Sequence, residues 1–230
     1  MNILVLNGSP KGENSVTLQT VEFLKLIYSE NNFNTLHVGK RIKAYERDFS
    51  SAKQALEEAD LIIFAYPVYT FIAPYQLHRF IELIKENNVN LKDKFCTQIS
   101  TSKHFYDVTA HRYIQDNCCD LQLKYIKGLS ADMEDLLKPA GQKQATDFFD
   151  YVLFSVENNL YEKSSVSTPA SHGILATIPQ KTSAEKDGDI VILTTAHPDD
   201  TRLLNMISRF QTVCRRKTRV INVHEYPFKG

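Results

Sequence analysis

Two rhythms of apolar residues alternate along the chain. Short unbroken runs bounded by turn residues read as strands, and stretches with apolar residues every three or four positions read as helices. The first run, Asn2–Asn7 (NILVLN), stops at Gly8-Ser9-Pro10. Helical spacing starts at Ser15, puts Leu18, Val21, Leu24 and Ile27 on one stripe, and ends at Asn31-Asn32. A weak strand is predicted over 35–38 and a short helix over 51–59. Residues 61–65 (LIIFA) are apolar on both faces, as a central strand of a parallel sheet must be. The run Tyr66-Pro67-Val68-Tyr69-Thr70 reads as a loop. Leu77, Phe80, Ile81 and Ile84 then mark a helix after Pro74. Further on, the pattern predicts a strand over 95–100, a loop over 101–106, a helix over 108–118 and a strand over 121–127. A long helix follows Pro139-Ala140-Gly141, with Ala145, Phe148, Phe149, Val152, Val156 and Leu160 on one face.

Strand and helix in turn predict an α/β fold with a doubly wound, five-stranded parallel sheet of order 2-1-3-4-5. The Ser-rich stretch 161–172 reads as a linker between a main domain, 1–160, and a small C-terminal α/β extension, 173–230. In that extension, strands are predicted over 173–178, 189–195 and 219–223, and Leu203, Leu204, Ile207, Phe210 and Cys214 mark a helix. No internal repeat stands out in the sequence.

Composition narrows the function classes. The 230 residues carry 27 basic and 27 acidic side chains, a balance that argues against a nucleic-acid surface and against a strongly charged electron shuttle. No apolar run approaches the ~20 residues of a membrane span, and the first residues lack the basic opening of a signal peptide, so a cytoplasmic protein is expected. The four cysteines show no CxxC spacing, which argues against an iron–sulfur cluster or a structural zinc. The adjacent Cys118-Cys119 pair is read as two small apolar residues near a helix end.

Three candidate loops follow predicted strands, at the edge where parallel sheets bind ligands. The first is Gly8-Ser9-Pro10-Lys11-Gly12-Glu13-Asn14-Ser15-Val16-Thr17. It offers hydroxyls from Ser9, Ser15 and Thr17, the Asn14 amide, and the free N–H groups of a helix start, a donor set suited to a phosphate monoester. It is neither GxxxxGK[ST] nor GxGxxG, which counts against a P-loop hydrolase and a dinucleotide fingerprint. The plainer reading is a Ser-capped helix after a turn. In the second, Pro67 fixes the turn and Tyr69 offers a flat ring, or simply covers strand ends. The third is Thr101-Ser102-Lys103-His104-Phe105-Tyr106.

LNGSPKGENS followed by ADLIIFAYPVYTFIAPYQLHRFIELI resembles the NAD(P)H-dependent FMN reductase and flavodoxin-like flavoprotein family over roughly residues 1–157. The resemblance implies a flavodoxin-like fold, FMN as cofactor, NAD(P)H as co-substrate, frequent homodimers, and electron transfer to a flavin, quinone or similar small acceptor. By position, Ser9, Lys11, Asn14, Ser15 and Thr17 hold the phosphate, and Pro67, Val68, Tyr69 and Thr70 border the ring. Thr101, Ser102 and Tyr106 are assigned to the same cofactor, although this third loop lacks the glycines that relatives often carry there. No obligatory catalytic side chain is named, because the flavin does the hard chemistry. The alternative is a flavodoxin-like carrier module, or a domain of a larger redox protein, served by a redox partner protein and lacking its own nicotinamide site.

Ala196-His197-Pro198-Asp199-Asp200 resembles the motif of zinc-dependent sugar deacetylases. Its place near the C-terminus, Thr201 in place of a Glu, and a single later histidine, His224, favour an aspartate capping a helix over 201–215. No metal is therefore expected. His78 and His104 are expected at exposed positions, and Arg215-Arg216-Lys217 at a helix end.

Overall fold

The computed structural model describes residues 1–103, 107–162 and 189–225. It divides into two compact units, Met1–Ser167 and Thr168–Gly230. In the first unit the sheet runs β2-β1-β3-β4-β5, with β1 (Asn2–Asn7), β2 (Asn32–Leu36), β3 (Leu61–Pro67), β4 (Phe95–Ser102) and β5 (Lys124–Tyr125). A sixth strand, β6 (Leu129–Asp132), also pairs with β4, and every ladder is parallel. The order is the one the pattern predicts.

Alternation along the central strands builds two cores. Ile3, Val5, Leu61, Ile63 and Ala65 face Leu18, Val21 and Leu24 of α1 (Val16–Ile27) and Ala145, Phe149 and Val152 of α6 (Pro139–Glu157). Leu4, Leu6, Ile62, Phe64 and Tyr66 face the other layer: α2 (Val38–Arg47), α3 (Ser50–Glu58), α4 (Tyr75–Glu86) and α5 (Val108–Asp120). Helices on both faces explain why these strands carry no polar side.

The structure differs from the sequence reading at several elements. The strand expected over 121–127 is interrupted. Cys96 pairs with Tyr125 and Ile99 with Leu129, so three steps along β4 meet four on its neighbour, a bulge of one residue. The squeeze shows at Gly128, where a Cβ would lie 2.3 Å from Gln98 Cγ. Strand β2 begins earlier than expected and ends at Leu36, because residues 38–47 form α2, a helix that the pattern did not predict. Val38, Ile42 and Tyr45 do form a buried stripe there, but basic residues interrupt it. Tyr66 and Pro67 end β3 instead of opening a loop, and Leu160 lies beyond α6.

The described residues of the second unit form one β-α-β turn: β7 (Asp189–Thr194), α7 (Thr201–Val213) and β8 (Lys217–Asn222), with β7 and β8 parallel. Arg215 and Arg216 fall in the turn after α7, and Lys217 starts β8. The expected strand over 173–178, and all of the expected linker except 161–162, lie outside the described residues.

Candidate functional site

In a sheet of this order the chain leaves β1 toward β2 on one side and returns to β3 on the other, which opens a crevice at the carboxyl ends of β1 and β3. The loop over 8–15 lies at that point, stapled by backbone and side chain alike. Gly8 N–H donates to the Ala65 carbonyl of β3 at 2.8 Å. Asn7, fully buried, donates from Nδ2 to the Gly12 carbonyl at 2.8 Å and accepts the Ser9 N–H at 3.1 Å. Its Nδ2 also lies 3.3 Å from His37 Nδ1. Gly12 has φ +58°, which suits glycine, and it opens a 3-10 turn whose last residue, Asn14, is exposed.

The hydroxyls of this loop have different duties. Ser15 N-caps α1, its Oγ accepting the Leu18 N–H at 3.4 Å; its own O–H stays available to a ligand. Ser9 Oγ accepts the Lys11 N–H at 3.3 Å and keeps its proton likewise. Thr17 is fully buried, and its Oγ1 meets Thr101 Oγ1 at 2.5 Å, tying α1 to β4. The N–H groups of Val16 and Thr17 belong to the first helical turn, where no intrahelical acceptor exists. Lys11 is exposed beside the loop.

The second loop is a tight hairpin. Tyr69 and Ile72 exchange backbone bonds of 2.9 and 3.2 Å, and the two residues between them, Thr70 and Phe71, have φ of 49° and 72°. Positive φ at both central residues is the mark of a type I′ turn, normally Asn-Gly. A β-branched Thr and a Phe hold it under strain, a feature that clusters at functional sites. The turn leaves Tyr69 and Phe71 about half exposed at the sheet edge. Pro67 and Val68 are half-buried, and Val68 N–H donates to the Thr101 carbonyl at 2.9 Å, joining this loop to the third.

Thr101 and Ser102 end β4, both buried. Among the described residues Ser102 Oγ has no hydrogen-bond partner, and a buried unpartnered hydroxyl calls for a ligand or a water. Tyr106 and His104 lie outside the described residues. The predicted residues that are described therefore converge: Thr17 on Thr101, Val68 on Thr101, and the first loop on β3.

Between β4, β6 and the start of α5 sits a polar cluster that the sequence did not reveal. Asp107, buried at the start of α5, accepts from Ser100 at 3.0 Å and from Ser130. His111 Nε2 lies 2.8 Å from Ser100 Oγ and 3.5 Å from Asp107 Oδ2. Burial pushes the His111 imidazole below its ordinary value, and Asp107 partly offsets this. Serine and aspartate meet the same ring nitrogen, so Asp107 does not orient the imidazole from the opposite nitrogen as the acid of a hydrolytic triad does. Below it, the Tyr66 hydroxyl donates to Gln98 Oε1 at 2.5 Å, and Gln98 Nε2 donates to the Tyr125 hydroxyl. His78, expected exposed, is instead half-buried, stacked on Tyr113 at 4.1 Å, with Nε2 3.0 Å from the Ala73 carbonyl.

The deacetylase-like segment builds nothing similar. Among the described residues, no group of three His, Cys, Asp or Glu side chains can hold a metal. Asp200 does occupy the N-cap position of α7, but its carboxylate accepts the His197 N–H at 2.9 Å and caps no helical N–H.

The family described as Flavodoxin-like fold matches residues 1–116. No curated protein matches the chain. Among solved structures, the apo form of an NADH:FMN oxidoreductase aligns with a TM-score of 0.56 and 18% identity, over 71% of this chain and 92% of its own. An NADPH-quinone reductase from P. pentosaceus gives 0.51 and 15%, over 66% and 97%. A flavodoxin, WrbA-like protein from Agrobacterium tumefaciens gives 0.50 and 17%, over 68% and 98%. At these identities the likeness establishes the fold.

Proposed function

The chain belongs to the flavodoxin-like fold family, and from that premise we propose that it is an FMN-dependent oxidoreductase, taking hydride from NAD(P)H and passing electrons to a flavin, quinone or similar small acceptor. The observation that carries this reading is the convergence at the switch point. A loop with two O–H donors and a helix start lies at the same sheet edge as the half-exposed Tyr69 and a buried Ser102 hydroxyl that has no partner among the described residues. These residues fit the cofactor. Ser9, Lys11, Asn14 and Ser15, with the Val16 and Thr17 amides, supply donors for a phosphate dianion. Pro67, Val68, Tyr69 and Thr70 border the ring, and Thr101 and Ser102 supply polar contacts. Bound FMN supplies hydride acceptance and electron release; the protein orients it and shapes its potential. The reductase activities named for two of the structural relatives support the same reading. The neutral net charge favours an enzyme meeting small acceptors over a carrier steered to a protein partner.

The test is a visible absorption spectrum of the purified protein before and after FMN is added, followed by NADH and NADPH oxidation with a quinone or flavin acceptor. A bound yellow chromophore with turnover supports the proposal. FMN binding without turnover on either nicotinamide overturns the reductase reading in favour of a carrier, and no FMN binding overturns both.

A further inference from the structure

We propose that Lys40, on the first turn of α2, is a second cation for the ligand's phosphate and makes the site prefer a phosphorylated flavin over its dephosphorylated form; this rests on the cofactor reading above. A Cβ built on Gly12 would lie 2.9 Å from Lys40 Cδ and 3.6 Å from its Cβ, so the lysine stem lies over the tip of the phosphate loop. The helix carrying it is seated firmly. A Cβ on Gly39 would fall 2.2 Å from the Ser9 carbonyl carbon and oxygen and 2.5 Å from the Gly8 carbonyl oxygen, a backbone contact that only glycine permits.

The charge placement is otherwise unexplained. Lys40 and Arg41 stand in the first turn of α2, where the helix dipole disfavours cations. Among the described residues neither Lys40 nor Lys11 has a carboxylate partner within ion-pair distance. Lys11 and Lys40 flank Gly12 against the single nearby carboxylate of Glu13, which leaves a net positive mouth on a chain whose net charge is zero. A dianionic phosphate monoester matches that field, and an uncharged ribityl chain gains nothing from it.

The experiment titrates the full chain with FMN and with riboflavin, followed by flavin fluorescence at low and at moderate salt. Lys40→Gln is expected to weaken FMN about fivefold at low salt, with the difference shrinking as salt rises and riboflavin unchanged. Lys40→Arg should retain most of the parent affinity, and Lys43→Gln, a further exposed lysine of the same helix, should leave both ligands unchanged. Equal FMN affinity in parent and Lys40→Gln overturns the inference while leaving the cofactor reading intact. So does an equal loss for FMN and riboflavin, which marks a structural role. A parent chain with no affinity for FMN overturns the cofactor reading, and the inference with it.

Discussion

The β-loop-α-β turn recurs along the chain, and two of its mouths, after β1 and after β7, are built for opposite company. Each opens after a strand paired in parallel with the strand beyond its helix, β1 with β2 and β7 with β8. In each, the last strand side chain accepts the N–H two residues on: Asn7 from Ser9 at 3.1 Å, Thr194 from Ala196 at 3.1 Å. Yet the first loop carries two serine hydroxyls and one carboxylate, Glu13, between Lys11 and the stem of Lys40, while the second, over 195–200, carries two carboxylates, Asp199 and Asp200. Carboxylates at a helix start repel the phosphate that the first mouth would welcome. The surroundings differ as well. β1 is flanked by β2 and β3 and buried on both faces. In the second unit Val191 is 53% and Leu193 69% exposed, as is much of α7. The shared backbone sets where a ligand can sit; loop charge and packing decide whether one does.

The sharpest way to break this comparison is through the packing. Phe149, fully buried and 4.8 Å from the Tyr28 ring, anchors the core beneath β1. Phe149→Ala should cost the N-terminal unit about 3–5 kcal/mol in denaturant unfolding. Gly39→Ala comes next, since its methyl would press on the Ser9 and Gly8 backbone; a loss of about 2–3 kcal/mol and impaired FMN titration are expected. Asn7→Ala removes the staple across the first mouth and should cost about 2 kcal/mol, against about 1 kcal/mol for Thr194→Val, which loses a single bond.

A smaller effect follows from pH. Burial holds both His78 and His111 below the usual 6.5, opposed in part by the Ala73 carbonyl for His78 and by Asp107 for His111. The unfolded chain therefore binds protons at higher pH than the folded one. The stability tied to these rings is complete above about 6.5 and is lost as pH falls from there through the folded values. Unfolding at pH 7.5 and 5.5 should show the decline, and His111→Gln should flatten it. The smallest effect is at Met206, 66% exposed on α7: Met206→Ala should change stability by less than about 0.5 kcal/mol, and a larger loss would show that α7 is better packed than its exposure indicates.

What could be read from the sequence follows the range of the forces. The sheet order was legible because strands buried on both faces carry unbroken apolar runs, as in 61–65. The donor-rich loop after β1 was legible because its hydroxyls and amide sit together within ten residues. Helix α2 was not: Val38, Ile42 and Tyr45 have the right spacing, but Lys40, Arg41 and Lys43 dilute the stripe. With it were lost Gly39 and Lys40, which brace the loop from nearly thirty residues away. Asn7 looked like the end of a strand, since nothing local shows that its amide turns back to Gly12. Asp107 and His111 are joined through Ser100 and Ser130, a partnership made only by sheet pairing.

The central claim is that the loop after β1 grips a phosphate while the Tyr69 hairpin borders the ring. A crystal structure of the protein with FMN tests it most directly. The account predicts the phosphate against the Ser9 and Ser15 hydroxyls and the first amides of α1, with the isoalloxazine beside Tyr69. A phosphate seated anywhere else, or a loop filled by the protein's own side chains with no flavin bound, would contradict it.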